Sequence, residues 1–289
     1  MQTTSLLLAL LLQVGPNPMT GAIPNDDLVR DRPARPAAVQ TELNATSAWF
    51  ETCLDQLADD PARAHTAAQI RRSETTGPDR VLANLCLGTA SSALNLWDDA
   101  RAAFVAARDE TPDDEQRTRA RFAALAGNAA LAGGDAQGAL TLLTAAETDA
   151  RAAGSTALEA IAATDRARAL VALGQSDAGL AALELATALS PERGEAWLLK
   201  ATLLRRLDRL GDAQSAIERA VALMPGNTDV GLEAGVIAVL AGRDDAARAS
   251  WQSVLAIAPD TPAAATATDY LAQLGAPQDT APPQEKPRS

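Results

Sequence analysis

Small and large apolar positions recur along this chain with a spacing of 34 residues, the mark of stacked repeats rather than of one folded core. Five frames align on that period: residues 81–114, 120–153, 160–193, 194–227 and 228–261. Their eighth place is Gly88, Gly127, Ala167, Ala201 and Gly235, and their twentieth is Ala100, Ala139, Gly179, Ala213 and Ala247. All ten are small, whereas Ala and Gly supply 85 of 289 residues, so unrelated positions would give about three in ten. The twenty-fourth place is large and apolar throughout (Phe104, Leu143, Leu183, Ile217, Trp251), and the twenty-seventh is Ala107, Ala146, Ala186, Ala220 or Val254. Each frame predicts a helical hairpin. Small residues at eight and twenty let helix A and helix B approach closely, and place twenty-four fills the space between helix B and the next helix A. Gly134, Gly174 and Gly242 at place fifteen suit the tight turn, with Asn95 and Asp208 in the other two copies. Pro112, Pro191, Pro225 and Pro259 end helix B, because proline cannot continue the hydrogen-bond ladder.

The pattern resembles the tetratricopeptide repeat, whose signature is Trp-x2-Leu-Gly-x2-Tyr, then Ala-x3-Phe, then Ala and Pro. Trp197, Ala201, Leu204, Ala213, Ile217, Ala220 and Pro225 make the best single copy. The resemblance implies an all-α, right-handed superhelical solenoid. The signature tyrosine is absent throughout, replaced by Ser91, Ala130, Leu170, Leu204 and Ala238. The second copy has Arg151 in place of its proline and is followed by six extra residues, 154–159, which predicts a longer helix B; residues 115–119 separate the first two copies. Residues 262–274 read as a helix that shields the last repeat, and residues 41–76 as a degenerate hairpin, with helices at 41–58 and 61–72, that caps the first.

Outside the solenoid, residues 5–14 (SLLLALLLQV) are too short to span a bilayer and have the length of a signal-peptide core. Small residues at Thr20 and Ala22 suit cleavage after Ala22, so residues 1–22 read as an export signal, although no Lys or Arg precedes the apolar run. Residues 23–40 read as a Pro-rich linker and 275–289 as a polar tail, both of disordered composition. A periplasmic or secreted location follows, with no membrane span once the signal is removed; a cytoplasmic one follows if the segment is not a signal.

Composition narrows the chemistry. The 67 alanines favour helix, and a net charge of −12 disfavours nucleic acid and anionic lipid as partners. A single histidine (His65), two cysteines and one tyrosine are too few for most metal sites or for His-based catalysis, and no phosphate loop, nucleophile elbow, Cys-x2-Cys or His-Glu-x2-His sequence occurs. No enzyme and no cofactor is expected. The acidic clusters Asp98-Asp99, Asp113-Asp114-Glu115 and Asp244-Asp245 lack calcium-loop spacing and suit solvated helix starts. Asn44-Ala45-Thr46 matches a glycosylation acceptor, a triplet common by chance. Cys53 and Cys86 lie on first helices of adjacent hairpins. Axes about 8–10 Å apart set against the roughly 4.4–6.8 Å between bridged Cα atoms argue for two buried thiols over a disulfide.

Recognition is the chemistry that remains. In the resembled family the concave groove is lined by helix A places two, five, nine, twelve and thirteen, with six contributing. Carried over, these give Arg121, Asn128, Asp165, Arg168, Glu195, Thr202, Arg205 and Arg206 as its polar members. Four arginines against an acidic background suit an acidic segment or a chain-terminal carboxylate; the same side chains also fit ordinary solvated helix surface. The chaperone-tail clamp of some family members wants Lys at place five, which here is Leu85, Ala124, Thr164, Leu198 or Leu232. The expected function is a non-catalytic scaffold that binds a peptide or protein segment in its concave groove, or alternatively a structural, self-associating part of an envelope complex that uses its convex face.

Overall fold

The structure, a computed structural model, describes residues 45–275. The segments expected to be an export signal (residues 1–22) and a linker (23–40), the Asn44 of the acceptor triplet, and residues 276–289 lie outside the described residues. Thirteen α-helices and no strand occur among the described residues. The chain divides into two units at Leu173/Gly174. The first holds α1 (Ala45–Asp59), α2 (Pro61–Glu74), α3 (Pro78–Ala93), α4 (Trp97–Glu110), α5 (Gln116–Ala132), α6 (Ala136–Ala152) and α7 (Thr156–Ala172). The second holds α8 (Ser176–Leu189), α9 (Gly194–Arg206), α10 (Leu210–Leu223), α11 (Thr228–Leu240), α12 (Asp244–Ile257) and α13 (Pro262–Leu274). Within each unit every helix packs on the next, and α5 on α7, α9 on α11 and α11 on α13 add contacts between alternate helices. This is the nearest-neighbour connectivity of a helical repeat.

Local chemistry sets the helix ends. α4, α8, α10 and α12 each stop two residues before Pro112, Pro191, Pro225 and Pro259, because the residue preceding proline is forced out of the helical region. α6 lacks that stop and runs for 17 residues where the other four have 14. The extra residues before the third frame extend α7 as well. At place fifteen all five residues take positive φ: Asn95 and Asp208 at 59°, Gly134 at 85°, Gly174 at 74° and Gly242 at 70°. Only Gly, Asn and Asp enter that region at small cost. Asp60, Asp135, Asn227 and Thr261 cap the starts of α2, α6, α11 and α13 with side-chain oxygens.

The core is built from alanine against one large residue per hairpin. Phe104, Leu143 and Trp251 lie directly over Gly88, Gly127 and Gly235 of their own helix A, so that an added Cβ at any of these glycines would overlap the ring or branched side chain. Phe104 also packs with Ala126 and Ala129, and Leu143 with Ala169, on the following helix A. Place twenty-four therefore joins three helices, one more than the sequence pattern indicates. Gly235→Ala is expected to lower stability by about 1–2 kcal/mol, because overpacking outweighs the helix propensity gained. Gly211→Ala, near the start of α10 where an added Cβ would meet no neighbouring side chain within 4 Å, is expected to raise stability by up to about 0.5 kcal/mol, less than at an interior position. Urea denaturation of the two variants checks both signs.

One expectation is overturned at the N-terminal hairpin. Cys53 of α1 and Cys86 of α3 form a disulfide, with Cα atoms 6.3 Å apart. The separation of two helix axes is not the separation of the Cα atoms that face each other between them. A Cα sits about 2.3 Å off its helix axis, so facing positions on helices 8–10 Å apart come within bridging range. Both sulfurs are buried, in a cluster with Ala68, Leu87 and Ala103 beneath Trp49, Phe50 and Leu57. The acidic pairs at the starts of α4 and α12 and the cluster before α5 are exposed.

Candidate functional site

In the first unit Arg121 and Asn128 stand on α5, and Asp165 and Arg168 on α7. Asn128 donates through Nδ2 to Asp165 Oδ2 at 2.9 Å, and Arg168 reaches Asp165 Oδ1 at 3.4 Å. Asp165 is only 6% exposed, and a carboxylate so buried must have its oxygens satisfied. These three residues thus form a polar link between alternate helices. Arg121 is exposed and makes no ion pair or hydrogen bond among the described residues.

A second network lies where the six extra residues interrupt the repeat. Glu147 of α6 accepts from Arg151 at 2.8 Å and from Arg166 of α7 at 2.7 Å, and Arg151 also donates to Glu159 at 2.8 Å. Both glutamates are buried, and hydrogen bonds from Arg151 to Glu159 and then to Glu147 raise the pKa of that guanidinium. Two arginines and two glutamates leave the network neutral. It joins α6 to α7 and offers no charge to a ligand.

In the second unit Glu195, Thr202, Arg205 and Arg206 lie on α9. Glu195 and Thr202 stand at the helix A places expected of a groove, Glu195 exposed and Thr202 half-buried. Arg205 meets Glu233 of α11 as a fork, with Nε to Oε1 at 2.6 Å and a terminal nitrogen to Oε2 at 3.3 Å. The two side chains retain only 11% and 7% of their exposure, so this pair is desolvated and geometrically matched. Arg206 reaches solvent and has no ion pair or hydrogen bond among the described residues. Partial desolvation of its guanidinium, followed by the like charge of Arg205, lowers its pKa against the opposing effect of Glu233. Burial raises the pKa of Tyr270 on α13, with Arg205 opposing and Glu233 adding. The Tyr270 ring packs 5.1 Å from that of Trp251, whose indole N–H donates to the Leu232 carbonyl at 3.2 Å.

The geometry is that of repeated helix A faces, and the comparisons with known structures agree. PilW, described as a widely conserved type IV pilus biogenesis factor, superposes with a TM-score of 0.63 at 17% identity, over 78% of this chain and 99% of that one. PilF of Pseudomonas aeruginosa gives 0.59 at 13%, over 78% and 97%. TTC0263, a tetratricopeptide-repeat protein of Thermus thermophilus, gives 0.52 at 20%, over 65% and 97%. The chain has the tetratricopeptide-repeat fold. No protein-family profile and no curated protein sequence matches it.

The tetratricopeptide-repeat register shows which site residues the sequence reading omitted. Glu233 stands at the sixth place of its repeat and Tyr270 at the ninth residue of α13, so both project from helix A positions. The spacing of 28 residues from Arg205 to Glu233 was the available signal, since it places opposite charges on alternate helices. A different surface lies between α10, α11 and α12: a shallow cleft of about 210 Å³ with an apolar floor of Ile217, Val221, Ala234, Ala238 and Ala246, where Ser250 and the polar side chains Gln214, Glu218 and Arg243 also line it. Among the described residues no three His, Cys, Asp or Glu side chains group to hold a metal ion, and no helix is long and apolar enough to cross a membrane.

Proposed function

We propose that the chain is a non-catalytic scaffold that binds a peptide or protein segment on its helix A faces in an oxidising compartment outside the cytoplasm. The observation that carries the recognition half is the set of polar and half-buried apolar side chains on α9, α11 and α13, where Thr202, Arg206, Leu232, Val236 and Tyr270 share helix A places. The Cys53–Cys86 disulfide supports the location, because such bonds persist where thiols are not kept reduced, and it accords with the apolar run at residues 5–14. Repeats of this kind present surfaces, and their function resides in the side chains placed on them.

Photo-crosslinking residues placed singly at Thr202 and Asn128 on helix A faces, and at Val221 and Ser250 on helix B faces, test the reading in cells. Adducts from the helix A positions alone are the expected result. The exposed Val221, at 42%, which lines the cleft between α10, α11 and α12, favours a second reading, a structural component that associates through its helix B face. Adducts confined to Val221 and Ser250, with a mass that rises with concentration in sedimentation, would replace the first reading with the second.

A further inference from the structure

The geometry points to a binding site for a small hydroxycarboxylate, a ligand with one carboxylate and a neutral hydroxyl donor beside it, in a polar cleft of the first unit. Three helices build the cleft. Gln69, Arg72 and Ser73 stand three and four residues apart on α2 and so share one face of that helix. Arg80 comes from the first turn of α3, and Glu110 is the last residue of α4. Together they line a volume of about 380 Å³, within the range of small-molecule sites and far more than one water needs. Every lining side chain is polar, which disfavours an apolar occupant. None of them stands at the helix A places assigned to peptide recognition, so the inference goes beyond the scaffold reading and does not depend on it.

The hydrogen bonds already made define what a ligand must supply. Arg80 Nε donates to Glu110 Oε2 at 2.7 Å, which matches those two charges and leaves the terminal nitrogens of Arg80 without a partner among the described residues. Arg72 adds a further cation, so the cleft carries one surplus positive charge and two guanidinium groups with donors to spare, a set suited to a carboxylate. Its acceptors are short of donors. Glu110 Oε1 has only the Asn84 amide at 3.5 Å, the outer limit of a hydrogen bond. Asn84 itself is fully buried, and its Oδ1 has no partner, an arrangement that costs free energy while the donor is missing. A ligand must therefore bring a donor to Glu110 as well as an anion to the arginines. An ammonium in that place would lie beside the Arg80 guanidinium, which already holds the other oxygen, and would leave the surplus positive charge uncancelled. A hydroxyl donates without charge. A hydroxycarboxylate thus matches the cleft both in net charge and in donors.

Isothermal titration of the full chain with L-lactate and D-gluconate, and with propionate, L-alanine and lactamide as counterparts, tests this. Propionate lacks the hydroxyl, L-alanine replaces it by an ammonium, and lactamide lacks the charge. Lactate or gluconate is expected to bind, and the three counterparts about tenfold more weakly or worse. Arg72→Gln should weaken the hydroxy acid by a similar factor; Arg72 makes no ion pair or hydrogen bond among the described residues, so loss of folding does not account for the effect. Glu110→Gln should bring lactate down to the level of propionate. Arg63→Gln, exposed on α2 outside the cleft, should change neither. Equal binding of propionate and lactate would reduce the cleft to an anion site and overturn the hydroxycarboxylate assignment, as would tighter binding of L-alanine. Affinity unchanged by Arg72→Gln, or no binding of lactate or gluconate at millimolar concentration, would overturn the site itself. All of these outcomes leave the helix A adducts expected of the scaffold untouched.

Discussion

Arg205→Ala is expected to destabilise the second unit by about 3–5 kcal/mol, with loss of cooperative unfolding around α9, α11 and α13. The figure follows from what is left behind. Glu233 is 6% exposed and takes both its hydrogen bonds from this one guanidinium. Without them a carboxylate remains desolvated and unpaired, the costly half of any buried ion pair. Replacing both members with apolar residues of similar volume, Arg205→Met with Glu233→Leu, should recover most of the loss, because the pair contributes little net stability over a packed apolar contact. Urea denaturation of the single and double variants measures this. A loss below about 1 kcal/mol for Arg205→Ala would show that Arg206 or solvent can take over Glu233, and would restore Arg205 as a ligand contact.

Cys53→Ala should cost roughly 3–4 kcal/mol, the loop entropy of a 33-residue closure, with the effect confined to the N-terminal hairpin. α2 buries only Ala64 and Ala68 of its fourteen residues, and its Ile70 is 53% exposed. Alanine burial contributes little apolar area, so the cross-link between α1 and α3 supplies much of what holds this hairpin. In a repeat each element depends chiefly on its neighbours. Hydrogen exchange should therefore show lost protection through α1 and α2 and unchanged protection in α9 to α13. Uniform loss along the chain would contradict this locality. In cells the same bond predicts that alkylating reagents label Cys53 and Cys86 only after reduction; labelling without reductant would place the protein in a reducing compartment.

Much of the fold was legible because its determinants are local or periodic. Proline two residues past a helix, Gly, Asn or Asp at the turn, and small residues at places eight and twenty act through backbone sterics and close packing. The setting of Phe104 over Gly88 and of Trp251 over Gly235 was not legible in that way, because the register assigns place twenty-four to the next helix A and only packing brings it onto its own helix A as well. The candidate site was legible only as a set of positions. Arg121, Asn128, Asp165, Arg168, Thr202, Arg205 and Arg206 share helix A places, and the 28-residue spacing that offers Glu233 to Arg205 does not say whether the two close on each other or leave the arginine to a ligand.

The all-helical repeat, its period and the residues that turn each hairpin are written in the order of residues along the chain, since the same few steric rules recur in every copy. Tertiary structure alone decided that Cys53 reaches Cys86, that Arg205 is matched by a glutamate on another helix and Arg168 by an aspartate on its own, and that Arg206 is not matched. Those outcomes depend on distances of a few ångströms between side chains 3 to 33 residues apart in sequence, and on how much water the neighbouring helices exclude. Neither is a property of a period.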